Sequence, residues 1–251
     1  MSPATLTRLS QKLGIDEAPT TGFAGFTQFS ATYRSLLASL DHPDHLGILT
    51  DEIFADQAAQ GVAYLELAVS PQFYAERYGT VEAALNELIA LARAASAAHG
   101  VAFGLMPTID RMRDLDEAMV IARAAAARAG DGVVSLGLAN EERGSPAGDF
   151  AEPFALAKAA GLQSTPHAGE LVGPESIRDA LDALQADRIL HGVRAAEDPA
   201  LVAELADRGI PLDVCPTSNL LLEVVDDMAA HPLVGLLLDP LKFTLYVLQS
   251  P

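Results

Sequence analysis

The 251-residue sequence has no tryptophan, a single cysteine (Cys215) and few basic residues. One cysteine excludes a disulfide within the chain and fits a reducing compartment, so we expect a cytoplasmic protein. No apolar run approaches the roughly 20 residues that cross a bilayer, and the first ten residues have no secretory-signal pattern. These absences predict a soluble protein with no membrane partner.

Basic residues are outnumbered by acidic ones, 16 against 34, which gives a formal net charge of −18. A charge of this sign repels phosphate backbones, and no basic stripe interrupts it. We therefore expect no nucleic-acid partner. The acidity itself is interpreted as a well-solvated surface.

Short apolar runs alternate with longer Ala/Leu/Glu-rich stretches of helical period, a pattern typical of parallel sheets with helical crossovers. We predict a single α/β domain over residues 1–251 with a TIM (β/α)8-type barrel, one strand short of the usual eight. The seven predicted strands are Val62–Ala68, Val101–Pro107, Gly132–Leu138, Leu162–Pro166, Arg188–Leu190, Pro211–Cys215 and Lys242–Leu248.

Helix boundaries are marked by capping residues. Thr80 is placed to cap a helix that ends near Ala98, before Gly100. Gly173-Pro174 and Asp198-Pro199 each put proline where the first turn of a helix accepts it.

Polar residues follow two consecutive predicted strands, at the barrel end where catalytic groups are found. His167 and Glu170 follow Leu162–Pro166, and His191 follows Arg188–Leu190. We predict His167 as a metal ligand, with Glu170 in the same pocket and His191 as an acid-base or electrostatic partner. Each histidine alone is compatible with a structural role, but two at successive strand ends favour a shared site.

A third polar segment, Cys215-Pro-Thr-Ser-Asn219, follows the next strand. Here a structural role is favoured. We expect Cys215 to pack as a small hydrophobic residue, and Thr217, Ser218 and Asn219 to brace the barrel rim without touching substrate.

In order, His167-Ala-Gly-Glu170, His191-Gly192 and Cys215-Pro-Thr-Ser-Asn219 resemble the adenosine deaminase family of metal-dependent amidohydrolases. Two weaker likenesses extend the resemblance from Pro3 to about Leu237. Tyr64–Pro71 is similar to the family's second strand, with Ala68 where arginine is usual. Leu138–Glu142 is similar to a purine-contacting loop, with Asn140 in place of a glycine.

The resemblance implies a hydrolase of purine nucleotide metabolism, which deaminates an adenine nucleoside with one Zn²⁺ ion, converting adenosine to inosine and ammonia. It implies that His167 binds zinc, Glu170 donates a proton to the ring nitrogen beside the attacked carbon, and His191 orients the hydroxide. Asn140 and Glu141 would contact the purine. Burial of Glu170 would raise its pKa, as a proton donor near neutral pH requires.

Two parts of the family pattern are absent. The family has His-x-His directly upstream of a segment like Met1–Leu6, and Asp-Asp-Pro where this chain has the apolar stretch Phe243–Pro251. We therefore expect a chain truncated at both ends, with an incomplete barrel whose first strand is missing and whose eighth is altered. With one zinc ligand where three or four are usual, we expect low zinc occupancy.

The other histidines are assigned structural positions. His42 and His45 lie in a proline-broken polar turn, which favours a solvated loop over a replacement zinc pair. We expect His99 at a helix end and His231 in a surface turn.

Four functions remain open on the sequence. The first is an adenosine deaminase, and the second is a deaminase of aminodeoxyfutalosine or another adenine nucleoside, because Asn140 and Ala68 depart from the family pattern. The third is an inactive relative that keeps purine-binding walls, and the fourth is a barrel that acts through its surface. The expected partners are a purine nucleoside and a second copy of the chain that covers exposed barrel edges.

Overall fold

The protein is described from a computed structural model, which covers residues 3–17, 19, 21–42, 44–238 and 245–247. The strands are β1 to β7 in chain order: Tyr64–Val69, Ala102–Asp110, Ser135–Ala139, Gln163–Ala168, Ile189–His191, Leu212–Val214 and Leu245–Val247. The sheet follows the same order, β1-β2-β3-β4-β5-β6-β7, and every neighbouring pair is parallel. Each crossover between strands contains helix, as parallel pairing requires.

Eleven helices are present in the part of the chain just given. They are α1 to α11 in chain order: Pro3–Leu13, Phe26–Ser39, His45–Ala59, Ala75–Tyr78, Val81–His99, Leu115–Ala126, Ala151–Ala159, Pro174–Ala183, Pro199–Asp207, Pro216–Leu221 and Leu233–Leu238. Short 3-10 turns occur at Pro71–Tyr74, Ala147–Phe150 and Val193–Glu197. No helix among these residues is long and apolar enough to cross a membrane.

All seven predicted strands are confirmed, with shifted ends. The seventh occupies Leu245–Val247, and the rest of its predicted span lies outside the described residues. The α/β barrel is likewise confirmed as an incomplete one, since β1 and β7 are the outer strands of the described sheet. Seven strands are one fewer than a closed TIM barrel contains.

The predicted caps are also found. The Thr80 hydroxyl accepts a hydrogen bond of 3.0 Å from the Ala83 N–H, and α5 ends before Gly100, whose φ of 71° is left-handed. The Asp198 side chain accepts the Ala200 and Leu201 N–H groups at the start of α9. His99 is the last residue of α5, as expected.

The core lies between the sheet and the helices that surround it. Strand residues such as Leu136 and Leu138 and helix residues such as Ile121 and Phe154 are fully buried there. This layer fixes the strand ends relative to one another. The chemistry at those ends therefore depends on packing that is remote from it.

Replacing Phe154 with alanine tests this dependence. The ring is 0% exposed, so we expect Phe154→Ala to lower the free energy of unfolding by about 3–5 kcal/mol, measured by urea denaturation with circular dichroism. Val120→Ala, at a residue of α6 that is 45% exposed, is the control and should change it by less than about 0.5 kcal/mol. Equal effects of the two substitutions would contradict this description of the core.

Candidate active site

His167, Glu170 and His191 meet at the carboxyl ends of β4 and β5. The rings of His167 and His191 have centroids 5.2 Å apart, and Glu170 Oε1 lies 3.4 Å from His191 Nδ1. The strands pair His167 with Leu190 and Ala168 with His191, so the two histidines lie one residue apart in level on neighbouring strands. The sequence prediction that these three residues share a pocket agrees with this geometry.

Turns of unusual backbone conformation bring these side chains inward. Gly169 has φ 67°, and a Cβ atom there would lie 2.4 Å from Ile177 Cδ1, so only glycine fits. His191 itself has φ 65°, a left-handed conformation that a non-glycine residue adopts at some cost. His191 is the last residue of the short strand β5, and its left-handed conformation turns the imidazole into the barrel.

The tautomer of His167 follows from its hydrogen bond. Its Nδ1 lies 2.8 Å from the carbonyl oxygen of Leu138, which can only accept, so Nδ1 carries the proton. Nε2 is then the ring atom with a lone pair. Burial, and next the charge of Arg111, lower the pKa of His167 to about 4, so the ring is neutral at pH 7.

Glu170 is 5% exposed, and its Oε1 has no hydrogen bond to the described residues. Burial raises its pKa to about 8, and the nearby Glu142 carboxylate adds to the shift. Glu170 is therefore mostly protonated at neutral pH and can donate a proton. Burial also lowers the pKa of His191 well below its ordinary value, with a further contribution from His167.

Two buried residues that the sequence analysis did not select hold this turn. Glu142 accepts hydrogen bonds from the main-chain N–H of Glu170 at 3.1 Å and of Val172 at 2.9 Å. Arg111 donates to the main-chain oxygen of His167 at 2.6 Å. Both side chains are 4% exposed, and their role is to position the turn.

Behind His191, a hydrogen-bonded chain runs through Asn219 to His231. The Leu233 N–H donates to His231 Nδ1 at 3.0 Å, so His231 Nε2 carries the proton and donates to Asn219 Oδ1 at 3.1 Å. Asn219 Nδ2 lies 3.5 Å from His191 Nδ1, at the upper limit for a hydrogen bond. The expectation of a surface turn for His231 is wrong, because this residue is only 5% exposed. It is the last member of the hydrogen-bonded series that begins at His191.

The three residues line a cavity of about 430 Å³ at the mouth of the barrel. Its outer wall comes from α2, where Phe26, Phe29 and Tyr33 recur at helical spacing and so lie on one face. The Phe26 and Phe29 rings have centroids 6.1 Å apart. This wall gives the cavity an apolar side suited to a flat ring.

The inner end of the cavity is charged. Arg188 lies between Glu66, at 2.5 Å from Nη2 to Oε1, and Asp213, at 3.2 Å from Nε to Oδ2. The Ser135 hydroxyl also donates to Glu66 Oε1, at 2.6 Å. Burial raises the pKa of Asp213 to about 6, although Arg188 opposes the shift. Two carboxyl groups thus share one guanidinium beneath the cavity.

The two predicted purine contacts differ in position. Asn140 lines the cavity, has a left-handed φ of 85°, and donates from Nδ2 to Asp110 Oδ1 at 2.9 Å. Asparagine tolerates this conformation better than most residues, which explains how it occupies a glycine-like position. The Glu141 side chain instead pairs with Arg143 at 3.6 Å and is not part of the cavity wall.

The third polar segment has a mixed outcome. Cys215 is 7% exposed, as expected of a small packed residue, and Asn219 is fully buried. Cys215 and Ser218 nevertheless line the cavity. His42 and His45 lie outside the cavity wall, with ring centroids 5.4 Å apart.

The fit of a zinc ion is decided by its ligands. His167 Nε2 has the chemistry of a zinc ligand, but the described residues contain no group of three or more His, Cys, Asp or Glu side chains that could hold a metal. Zinc sites usually need three or four protein ligands. The described residues therefore do not fit a Zn²⁺ ion.

Comparison with known proteins shows which family the chain is similar to. The model of the adenosine deaminase family matches residues 1–247. An adenine deaminase of Agrobacterium fabrum is 35% identical over 243 residues, which are 93% of this chain and 74% of that protein. An aminodeoxyfutalosine deaminase of Streptomyces coelicolor is 40% identical over 214 residues, 84% of this chain and 55% of that protein.

A solved structure is also similar. The crystal structure of adenine deaminase from Arthrobacter aurescens superimposes with a TM-score of 0.84 at 29% identity, and the match covers 97% of this chain and 77% of that one. The family is thus supported by both sequence and fold.

The pKa of Glu170 predicts a pH-dependent stability. The unfolded chain releases this proton near pH 4.5 and the folded chain near pH 8, so the stabilisation is complete below pH 4.5 and is lost as the pH rises through 8. The quantity to compare is the free energy of unfolding of the unaltered chain minus that of Glu170→Gln. We expect this difference to fall by up to a few kcal/mol between pH 4.5 and pH 8, because each unit of pKa shift corresponds to about 1.4 kcal/mol.

Urea denaturation at a series of pH values measures this difference. The matched control is Glu175→Gln, at an exposed position in the first turn of α8, which should follow the profile of the unaltered chain. A difference between the unaltered chain and Glu170→Gln that stays constant with pH would contradict the prediction.

Proposed function

Since this chain belongs to the adenosine deaminase family, we propose that it carries the proton-donor part of an active site for hydrolytic deamination of an adenine nucleoside. Adenosine is the simplest such substrate. The overall reaction adds water and releases ammonia, so that adenosine becomes inosine. Purine nucleotide metabolism is the corresponding setting.

The protonated Glu170 carries the proposal. A buried carboxylic acid with a pKa of about 8 can give a proton to the ring nitrogen next to the attacked carbon. The ring carbon then accepts electrons from the incoming water more readily. His191, 3.4 Å from Glu170 and with a neutral imidazole, would orient that water and take one of its protons as the carbon–oxygen bond forms. That proton then passes to the amino group, which leaves as ammonia when the carbon–nitrogen bond breaks, and the remaining hydroxyl proton returns to Glu170.

The cavity wall supports an adenine ring as the ligand. Phe26 and Phe29 give an apolar aromatic surface, and Asn140, whose φ of 85° is left-handed, is at the position where the resembled family has the glycine whose amide meets the purine. Asn140 and Ala68 depart from the family pattern. An aminodeoxyfutalosine deaminase is 40% identical, so a larger adenine nucleoside of that kind is the alternative substrate.

Zinc dependence enters the proposal through His167 alone. Of the three or four ligands that a zinc site usually needs, the described residues supply one. That shortage favours a second function for the chain on its own: an inactive relative that binds the purine and lacks a working metal. Cytoplasm is the proposed compartment, in line with the single, buried Cys215.

Metal content and ammonia release separate these functions. After dialysis against zinc sulfate, we expect clearly less than one zinc per chain by elemental analysis, and no ammonia from adenosine, adenine or aminodeoxyfutalosine. Adding an N-terminal His-x-His segment and a C-terminal Asp-Asp should then produce ammonia. In that background, Glu170→Gln should lower the rate at least about 100-fold, the usual contribution of a general acid.

Glu175→Gln in the same background is the control for handling and net charge. Stoichiometric zinc and ammonia release by the unaltered chain would overturn the inactive alternative. No ammonia from the extended chain, although it binds zinc, would overturn the deaminase proposal.

The proposed protein partner is a second copy of the chain. In the described sheet, β1 has β2 as its only neighbour, and Tyr64 on β1 is 51% exposed. An open edge of this kind pairs readily with another chain. We expect a dimer or larger species in analytical ultracentrifugation, reduced by Tyr64→Lys and retained by Val120→Lys, whose site is 45% exposed on α6. A single sharp monomer boundary for the unaltered chain would rule this out.

A further inference from the structure

A second cavity adjoins the candidate active site. It has a volume of about 550 Å³ and lies between α2 and the segment that follows β1. Arg34 and Phe73 line both this cavity and the one that contains His167, Glu170 and His191. The two cavities therefore meet at these two side chains.

The wall of the second cavity is richer in basic residues than the protein as a whole. Three arginines, Arg34, Arg77 and Arg113, line it, against two acidic residues, Asp41 and Glu76. The chain as a whole carries a formal net charge of −18, which repels anions. A local excess of arginine beside the active site is thus the feature that would let an anionic ligand approach it.

Two of the three guanidinium groups are already occupied. Arg77 donates to the main-chain oxygens of Leu40 and His42. Arg113 donates to Glu117 at 2.7 Å, and its guanidinium carbon lies 5.9 Å from the centre of the Phe73 ring.

Arg34 differs from both, because its side chain is exposed and forms no hydrogen bond or ion pair with the residues that the structure describes. With respect to the described residues, its full set of N–H donors is free. A guanidinium donates two parallel hydrogen bonds to a carboxylate or phosphate, and such charged bonds are about twice as strong as neutral ones.

The rest of the wall is largely apolar. Leu37, Leu40, Phe73 and Tyr74 supply aliphatic and aromatic surface between the arginines. This surface suits a substituent whose body is uncharged and whose end carries the negative charge.

We propose that Arg34 binds an anionic substituent, a phosphate or a carboxylate, which the adenine nucleoside carries at the end away from the amino group. The inference rests on the proposed function and narrows its substrate class. The adenine ring occupies the cavity of Glu170, and the anionic group extends past Arg34 into the second cavity. The preferred substrate is then an anionic derivative of adenosine.

Calorimetric titration of the unaltered chain with three ligands tests the proposal. The ligands are adenosine, which is neutral, AMP, which carries a phosphate, and adenosine 5′-carboxylate. We expect at least one anion to bind about tenfold more tightly than adenosine, the effect of one charge-assisted contact. Arg34→Ala should bring the affinity ratio of anion to adenosine close to one, and Arg34→Lys should restore part of it.

The matched control is Arg123→Ala. Arg123 is exposed on α6, makes no side-chain hydrogen bond or ion pair within the described ranges, and lines neither cavity. Its removal changes the net charge by the same amount. The affinity ratio should therefore keep its unaltered value in this variant.

The outcomes are distinct. Tighter binding of AMP alone assigns a phosphate, and tighter binding of the carboxylate alone assigns a carboxylate. If adenosine binds with the same affinity as both anions, the inference is overturned and the proposed function stays intact. The same conclusion follows if Arg34→Ala and Arg123→Ala lower the affinity ratio equally. If none of the three ligands binds, the proposed function and the inference both fail.

Discussion

The Glu142 carboxylate accepts the main-chain N–H groups of Glu170 and Val172, while Arg111 donates to the main-chain oxygen of His167. These bonds hold the turn after β4 at both of its ends. Because they are made to the main chain, they leave His167 Nε2 and Glu170 Oε1 free for a ligand. The rest of the site depends on this arrangement, since a displaced turn would separate Glu170 from His191.

The burial of this turn also favours the uncharged forms of its titratable side chains. Desolvation raises the pKa of Glu170 and lowers those of His167 and His191, so a neutral acid and two neutral imidazoles lie side by side. Charge is kept at the inner end of the cavity, where Arg188 compensates two carboxylates. The barrel thus separates a neutral reacting group of residues from a charged supporting group.

Much of this arrangement could be predicted from the sequence. Apolar runs and capping residues predicted seven strands and the main helix ends, and polar residues after consecutive strands predicted that His167, Glu170 and His191 meet. Glu142 and Arg111 could not be found in this way, because their partners are main-chain atoms of β4 and the turn after it, which are far away in sequence and leave no local pattern. The position of His231 was predicted wrongly for a related reason: its hydrogen-bond partner Asn219 is 12 residues away in sequence, and the two meet only in the folded chain.

The strand order also bears on how the chain folds. Each strand of the sheet pairs with its neighbour in sequence, so every step of assembly closes only one crossover. Bringing β1 to β7 would instead close a loop that spans most of the chain, which costs about 1.5–2 kcal/mol more in chain entropy. Assembly can therefore advance strand by strand from any starting pair, and none of the described strand pairs requires β1 and β7 to meet.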